Sequence, residues 1–232
     1  MKFALIGHPV EHSFSAQYLN SRFKNEGIDA HYELIDLPDI AEFQTLLKSG
    51  KYNGFNVTIP HKKSIIPYLD SLSPEATAVG AVNVIQIKNN KLIGHNTDII
   101  GFHETLTPLL KPYHTHAVIL GTGGASQAVQ YVLQQLNIPF RLVTHNELDA
   151  NTITQLAPII INTTPLGMHP NTNTKPNIDY SQITPNHLIY DLVYNPTETQ
   201  FLKLAKQQGA TTQNGLAMLH RQADAALKIW LK

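Results

Sequence analysis

Ala117-Val118-Ile119-Leu120-Gly121-Thr122-Gly123-Gly124-Ala125-Ser126 places an apolar run, a glycine turn and the start of a helical period in immediate succession. The apolar run reads as a buried strand, and Gln127 to Leu136 has helical spacing. A phosphate-binding turn needs this order. A backbone carrying Cβ atoms cannot approach a pyrophosphate closely, and the following helix supplies N–H groups and the positive end of its dipole. Gly121, Gly123 and Gly124 meet that need, with Thr122 and Ala125 completing the turn. Ser126 stands where the usual dinucleotide fingerprint has a third glycine, so the helix need not pack as tightly on the strand. An ordinary glycine-rich βα loop without a ligand is the plainer alternative.

The same alternation extends in both directions and predicts an α/β fold of mostly parallel sheets covered by helices. Upstream, strands are expected at Lys2 to Ile6, Tyr32 to Asp36 and Gly54 to Thr58. Helices are expected at Ser15 to Glu26, closed by Gly27, and at Ile40 to Leu47. Asn83 to Lys88 and Leu92 to His95 flank Asn89-Asn90, a pair that tolerates positive φ, and read as a hairpin. A helix from Asp98 to Leu110, ending before Pro112, connects the two halves. Downstream, strands fall at Arg141 to Thr144, Ile159 to Asn162 and Leu188 to Leu192, with a helix over Thr197 to Gln208. The last helix, Leu216 to Trp230, carries an apolar stripe at 216, 219, 223, 226, 227 and 230 that needs a surface to cover. Residues 171–177, rich in Asn, Thr and Pro, read as an exposed loop.

Composition excludes several functions. The 232 residues carry 17 basic and 17 acidic side chains, so no overall field attracts a polyanion, and the basic residues do not cluster. Nucleic acid is therefore not an expected partner. No run of 18 apolar residues exists and the amino-terminal apolar stretch is too short for a signal peptide, which predicts a cytoplasmic protein without a membrane partner. With no cysteine, any catalysis falls to His, Lys, Asp, Glu, Ser, Thr or Tyr. The 12 histidines are scattered and lack partnering carboxylates, so no metal is expected. Apolar helix faces serve cores and interfaces alike, leaving monomer and homodimer both open.

The residues after the second strand of the glycine-turn half discriminate nicotinamide nucleotides: an acid there binds the NAD ribose, and an arginine accommodates the NADP 2′-phosphate. Here they are Thr144-His145-Asn146-Glu147. Neither an acid nor an arginine stands directly at the strand end, and a protonated His145 is the available cation, although the free imidazole is mostly neutral at pH 7.

Several polar clusters, in order, resemble one family. They are Gly7-His8-Pro9-Val10-Glu11-His12-Ser13-Phe14-Ser15, Gly54-Phe55-Asn56-Val57-Thr58-Ile59-Pro60-His61-Lys62, Gly80-Ala81-Val82-Asn83 and Gly94-His95-Asn96-Thr97-Asp98. After the glycine turn come Asn162-Thr163-Thr164-Pro165-Leu166-Gly167-Met168, Tyr190-Asp191-Leu192-Val193-Tyr194-Asn195-Pro196, and Asn214-Gly215-Leu216-Ala217-Met218-Leu219 with Gln222. Together they resemble the shikimate dehydrogenases essentially end to end. The resemblance implies NADP-linked interconversion of 3-dehydroshikimate and shikimate in aromatic amino acid biosynthesis. It implies a substrate domain over 1–100, completed by the helix 216–232, and a Rossmann-like dinucleotide-binding domain over 101–215.

Carried over residue by residue, the resemblance assigns Ser13 and Ser15 to the substrate carboxylate. It assigns Thr58, Asn83, Asp98 and Gln222 to the ring hydroxyls, Lys62 to the reacting oxygen, and Tyr194 to the substrate. Gly215 would lie near the nicotinamide. Thr163, Thr164 and Leu166 would line the cofactor channel, with Leu192, Thr144 and His145 also on the cofactor side. The chemistry suits these residue types: hydride reduction of a ketone leaves negative charge on oxygen, which an ammonium donor stabilises and protonates, and a carboxylate such as Asp98 positions that ammonium. Without the resemblance, Lys62 beside Lys63 reads equally as a solvated surface lysine, Asp98 as a helix N-cap, Ser13 and Ser15 as loop or cap residues, and Tyr194 and Gln222 as interdomain contacts.

The sequence departs from the family at Ala16, commonly proline, and at Val84, commonly threonine; neither removes a catalytic group. The missing arginine after Thr144 matters more. Only 14 residues separate the second and third strands of the cofactor half, near the minimum for a helical crossover. A cofactor domain shortened on its adenosine side is expected, with weaker or less selective nucleotide binding. An NAD-preferring quinate/shikimate dehydrogenase is the nearest alternative enzyme. A catalytically idle paralogue sensing a cyclitol acid is the alternative of another class, disfavoured by retention of both Lys62 and Asp98.

Overall fold

Two sheets organise the chain in a computed structural model that describes residues 1–144 and 157–232. Met1–Ile100 with His220–Lys232 form one compact unit, and Gly101–Leu219 form the other. In the first unit β1 (Lys2–Gly7), β2 (His31–Asp36) and β3 (Gly54–Val57) run parallel. They are linked by α1 (Ser15–Asn25), and by a 3-10 turn at Ile40–Glu42 that continues into α2 (Phe43–Lys48). Next come β4 (Ser71–Leu72), α3 (Pro74–Val79), and the hairpin of β5 (Val84–Lys88) and β6 (Lys91–His95). The sheet order is β2-β1-β3-β5-β6-β4. The hairpin makes this sheet mixed: Asn89 and Asn90 both hold positive φ, near 52° and 57°, as a two-residue hairpin turn requires, and β5 pairs antiparallel with β3 as well as with β6.

Strand β1 explains its own unbroken apolar sequence. Phe3 and Leu5 face a core built with Leu19 and Phe23 of α1 and with Ala223, Ala226, Leu227 and Trp230 of the carboxy-terminal helix Leu216–Trp230; Ala4 and Ile6 face a second core with Phe43, Phe55, Val57 and Ile65. A strand buried on both faces cannot alternate polar and apolar residues. The stripe on the last helix thus finds its surface on the first unit's sheet. Trp230 stacks on Phe3 with ring centroids 4.5 Å apart, and its Nε1–H donates to the Ile85 carbonyl at 3.1 Å. A Cβ on Gly54 would lie 2.5 Å from that indole nitrogen, so the strand is glycine there to let the ring approach.

In the second unit, α4 (Asp98–Leu106), which begins in the first unit, leads to β7 (Ala117–Leu120), α5 (Gly124–Gln135), β8 (Phe140–Val143), β9 (Ile159–Asn162) and β10 (Leu188–Asp191). Helix Gln200–Gln207 and β11 (Thr211–Gln213) follow. All these strands are parallel, in the order β11-β10-β9-β7-β8. Because β7 pairs with β8 on one side and β9 on the other, the topology reverses at β7, where open α/β sheets bind ligands.

Most boundaries follow the sequence, and the exceptions have physical reasons. The helix from Asp98 stops at Leu106 and yields to a 3-10 turn at Thr107–Leu109, because Pro108 lacks the N–H an α-helix would use. The helix expected from Ile40 begins as a 3-10 turn capped by Asp39. The helix expected from Thr197 begins at Gln200, where the Thr199 hydroxyl caps it. Helix α5 starts at Gly124, so part of the glycine turn is already helical. Helix α3 is not among the expected elements; it starts at a local cap, with Ser73 accepting from the Ala76 N–H and Pro74 at the first helical position. The shortened crossover falls on residues 145–156, outside the described residues; among the described ones β8 is an edge strand.

Truncating Trp230→Ala is expected to cost about 3–5 kcal/mol of unfolding free energy, the range for deleting a buried aromatic. Urea unfolding followed by circular dichroism measures it, and a loss below about 1 kcal/mol would show that the last helix is not a structural part of the first unit's core.

Candidate active site

The carboxyl ends of the parallel strands in the first unit collect its polar residues. At the end of β3, Thr58 donates its N–H to the Ile6 carbonyl, and the chain turns through Ile59 and Pro60 to His61 and Lys62. A Cβ on Gly7 would fall 2.4 Å from Thr58 Cγ2 and 2.7 Å from the Ile59 carbonyl oxygen, so the two strand ends approach only because position 7 is glycine. His61 is buried, and its Nε2–H donates to the Leu37 carbonyl at 2.6 Å, which ties the lysine turn to the segment after β2. The Lys62 carbonyl accepts from the Val82 N–H at 2.8 Å.

Lys62 Nζ donates to Asp98 Oδ2 at 2.6 Å, with side chains only 14% and 7% exposed. Asp98 opens α4, whose positive dipole end favours the carboxylate. Asn83 holds the other oxygen: its Nδ2 donates to Asp98 Oδ1 at 2.9 Å and lies 3.0 Å from Thr97 Oγ1 and 3.3 Å from Gln222 Oε1. Its Oδ1 accepts from the Thr97 backbone N–H at 2.7 Å. Because a backbone N–H can only donate, the amide of Asn83 has one possible orientation, with its NH₂ toward Asp98. Lys62, Asp98, Asn83 and Gln222, drawn from four sequence segments, therefore form one buried network. Thr97 belongs to it too, although the sequence assigned it no role.

Ser13 and Ser15 reach the same end of the sheet by another route, after β1 and at the start of α1. The Ser15 N–H lies 3.3 Å from Ser13 Oγ, and Ser15 is buried. No acidic residue occupies the first turn of that helix. Hydroxyls beside a helix N-terminus suit an anion such as a carboxylate.

In the second unit the glycine turn has the form a pyrophosphate requires. Gly121 has φ of 108°, and a Cβ there would meet Thr163 Oγ1 at 2.7 Å and Thr164 Cγ2 at 2.9 Å; a Cβ on Gly123 would project into open space. Gly123 precedes α5 with no side chain capping the helix, and the first turn, with Gly124 and Ala125, has no acid. These are the conditions for an anion on the helix N-terminus, so the residues present fit a dinucleotide phosphate. Ser126 does not loosen the helix: it is fully buried and donates its hydroxyl to the Gly121 carbonyl at 2.8 Å, bracing the turn. Gly215 supports a second loop, since a Cβ there would lie 2.0 Å from the Leu192 carbonyl oxygen. Thr144 ends the described part of the strand-β8 segment, Tyr194 follows β10, and His145 lies outside the described residues. Among the described residues no three His, Cys, Asp or Glu side chains gather as a metal site needs, and no helix is long and apolar enough to cross a membrane.

Asp191, at the end of β10, is fully buried and accepts hydrogen bonds from Asn162 Nδ2 at 2.9 Å, the Val193 N–H at 3.1 Å and Thr199 Oγ1 at 2.6 Å. Burial outweighs these donors and pushes its carboxyl up to about 6 from 3.8.

A two-unit α/β chain with a dinucleotide turn in one unit and a buried lysine–carboxylate pair in the other has the construction of a nicotinamide-dependent dehydrogenase. Comparison with known proteins makes the class specific. Residues 5–85 match the shikimate dehydrogenase substrate-binding domain. The chain is 38% identical to the shikimate dehydrogenase (NADP(+)) of Methanococcus maripaludis over 252 aligned residues, covering 97% of this chain and 90% of that protein. It is 38% identical to that of Staphylococcus haemolyticus, covering 99% and 92%. The crystal structure of the Thermus thermophilus enzyme in complex with NADP(H) and shikimate superimposes with a TM-score of 0.89 at 30% identity, covering 99% of this chain and 93% of that one. The chain belongs to the shikimate dehydrogenase family.

The raised carboxyl of Asp191 gives a pH test. Because the folded state binds this proton more readily than the unfolded chain, Asp191 favours folding most at acid pH, and the contribution is lost as pH rises through about 6. The stability difference between the native protein and Asp191→Asn is expected to shift by about 2 kcal/mol against the native protein between pH 4 and pH 7. Chemical denaturation at each pH measures it; parallel profiles would contradict a buried, charge-penalised carboxylate.

Proposed function

We propose that the chain catalyses the NADP-linked, reversible reduction of 3-dehydroshikimate to shikimate. The observation that carries this reading is the 2.6 Å Lys62–Asp98 pair, locked by Asn83 within the first unit of a family member. Bound NADPH supplies the hydride to the ketone carbon. Lys62 then has two tasks, stabilising negative charge as it grows on the carbonyl oxygen and delivering the proton that makes it a hydroxyl. Asp98 keeps the ammonium aimed at one point and accepts from a ring hydroxyl. Asn83 fixes Asp98, Gln222 accepts from Asn83 and Thr97 beside it, and both amides offer further bonds to the ring; Thr58 stands at the adjoining strand end. Ser13 and Ser15 receive the substrate carboxylate, and the family resemblance adds Tyr194 as a further substrate residue.

On the nucleotide side, Gly121, Thr122, Gly123, Gly124 and Ala125 hold the pyrophosphate. Thr163, Thr164, Leu166, Leu192 and Gly215 shape the channel, with Thr144 and His145 toward the adenosine end. NADP is the nucleotide named for the relatives from Methanococcus and Staphylococcus. Losing a charge-stabilising donor costs about 10²- to 10³-fold in rate, whereas one neutral hydrogen bond to substrate is worth roughly 0.5–1.5 kcal/mol.

Purified protein with shikimate and NADP is expected to raise absorbance at 340 nm, and to do so faster than with quinate or with NAD. No turnover with any of the four combinations, alongside measurable shikimate binding, would replace the enzyme by a sensor. Lys62→Ala is expected to lower kcat about 10²- to 10³-fold with a small change in the shikimate KM. Ser15→Ala removes a hydrogen bond to a charged carboxylate and is expected to raise the shikimate KM about 10- to 100-fold with kcat nearly intact. Near-normal kcat in Lys62→Ala would remove the lysine from the chemistry.

A further inference from the structure

Two strands of the second unit break their own apolar pattern at the same place. Ile159-Ile160-Ile161 ends in Asn162, and Leu188-Ile189-Tyr190 ends in Asp191; these two residues are register partners on adjacent parallel strands, both fully buried. A charged residue without a counter-ion among its hydrogen-bond partners is costly to keep in a sheet interior, so its bonds repay tracing.

Asp191 Oδ1 takes one Asn162 Nδ2 hydrogen. That fixes the Asn162 amide with its oxygen turned toward the following loop, where it accepts from the Thr164 N–H at 3.0 Å and from Thr164 Oγ1 at 2.6 Å. The Asn162 NH₂ also lies 3.4 Å from the Leu166 carbonyl, so one side chain spans the whole Thr163–Leu166 loop. Thr163 and Thr164 are the atoms that a Cβ on Gly121 would strike, so this loop packs directly on the glycine turn. On its other side Asp191 Oδ1 accepts from the Val193 N–H, setting the turn that carries Leu192, whose carbonyl sits against Gly215. Oδ2 binds Thr199, the cap of helix Gln200–Gln207. One carboxylate thus fixes three segments around the ends of β9 and β10.

We infer that Asp191 is a positioning residue for nucleotide binding: through Asn162 it dictates the conformation of the Thr163–Leu166 loop against the glycine turn, and through Val193 that of the Leu192 loop. The orientation of Asn162 is the decisive element. Without an acceptor at Asp191 the Asn162 amide loses the bond that keeps its NH₂ away from Thr164, and a rotated amide would confront the Thr164 N–H with another donor. An asparagine at 191 would preserve the arrangement. Its oxygen can accept from Asn162 and Val193, and its NH₂ can donate to Thr199 Oγ1, which has lone pairs for both that bond and its cap to Leu202.

This inference rests on the nucleotide being NADP(H), as proposed above, so the test reads nucleotide binding directly as well as turnover. NADPH affinity is measured by fluorescence on the full-length native protein, Asp191→Ala, Asp191→Asn and Thr199→Val, together with separate KM values for NADP and shikimate. Asp191→Ala is expected to weaken NADPH binding about tenfold or more and raise the NADP KM alike, with the shikimate KM within about twofold. Asp191→Asn is expected to recover most of that affinity. A merely structural carboxylate would lower the thermal midpoint while leaving both KM values of the folded fraction unchanged, and that result would overturn the inference. If Asp191→Ala does not fold, Thr199→Val decides: a two- to fivefold rise in the NADP KM alone supports the inference, and no rise overturns it. Native protein that binds NADPH but does not oxidise shikimate rejects the shikimate reading and leaves the affinities of the variants to judge Asp191. Native protein that binds no NADPH rejects both.

Discussion

A lysine ammonium and a carboxylate 36 residues apart in sequence meet at 2.6 Å in a nearly buried setting, and the architecture of the first unit follows from keeping them there. An exposed pair of this kind contributes little and wanders, whereas a buried one has to be held by further hydrogen bonds or desolvation penalises it. Here the holding is done by Asn83, whose amide is itself fixed by the Thr97 N–H, and by the start of α4 beneath Asp98. Lys62 is held from behind by His61, bonded to the Leu37 carbonyl, and by its own carbonyl on Val82. The β5–β6 hairpin is the device that returns the chain from Asn83 to Asp98, and Asn89-Asn90 is what lets it turn so tightly. The carboxy-terminal helix completes the set, since the same element that buries Trp230 against Phe3 presents Gln222 to Asn83.

The second unit applies a related constraint at its own strand ends. Its glycine turn is shaped by what packs on it: Thr163 and Thr164 crowd Gly121, and Ser126 ties the start of α5 back to the Gly121 carbonyl. A polar residue ending each apolar strand is costly within a sheet, and Asn162 and Asp191 satisfy each other while ordering the loops that follow them.

Much of this is legible in the amino-acid sequence. Runs such as Ala117-Val118-Ile119-Leu120 declare strands, the stripe on Leu216–Trp230 declares a helix that needs a partner surface, and Asn89-Asn90 declares the hairpin. The residues of the lysine network were legible through motif resemblance; spacing alone left Lys62 indistinguishable from a surface lysine, since nothing local says that position 62 lies beside position 98. Three kinds of feature escaped. Strand β11, Thr211–Gln213, has no apolar signal and exists because β10 offers an edge. Pro108, rather than Pro112, stops the helix from Asp98, because two prolines four residues apart give the same local signal. The roles of His61, Thr97 and Asp191 depend on partners distant in sequence, although each stands inside or beside a motif already singled out, and a carboxylate ending an apolar strand is a signal that can be read.

In the proposed reaction Lys62 and Asp98 act at the reacting oxygen of shikimate. The most direct test is a crystal structure of the protein with shikimate bound. The proposed reaction requires one ring hydroxyl within hydrogen-bonding distance of both Lys62 Nζ and Asp98, with the substrate carboxylate on Ser13 and Ser15. A shikimate ring bound with no hydroxyl in reach of Lys62 would contradict it.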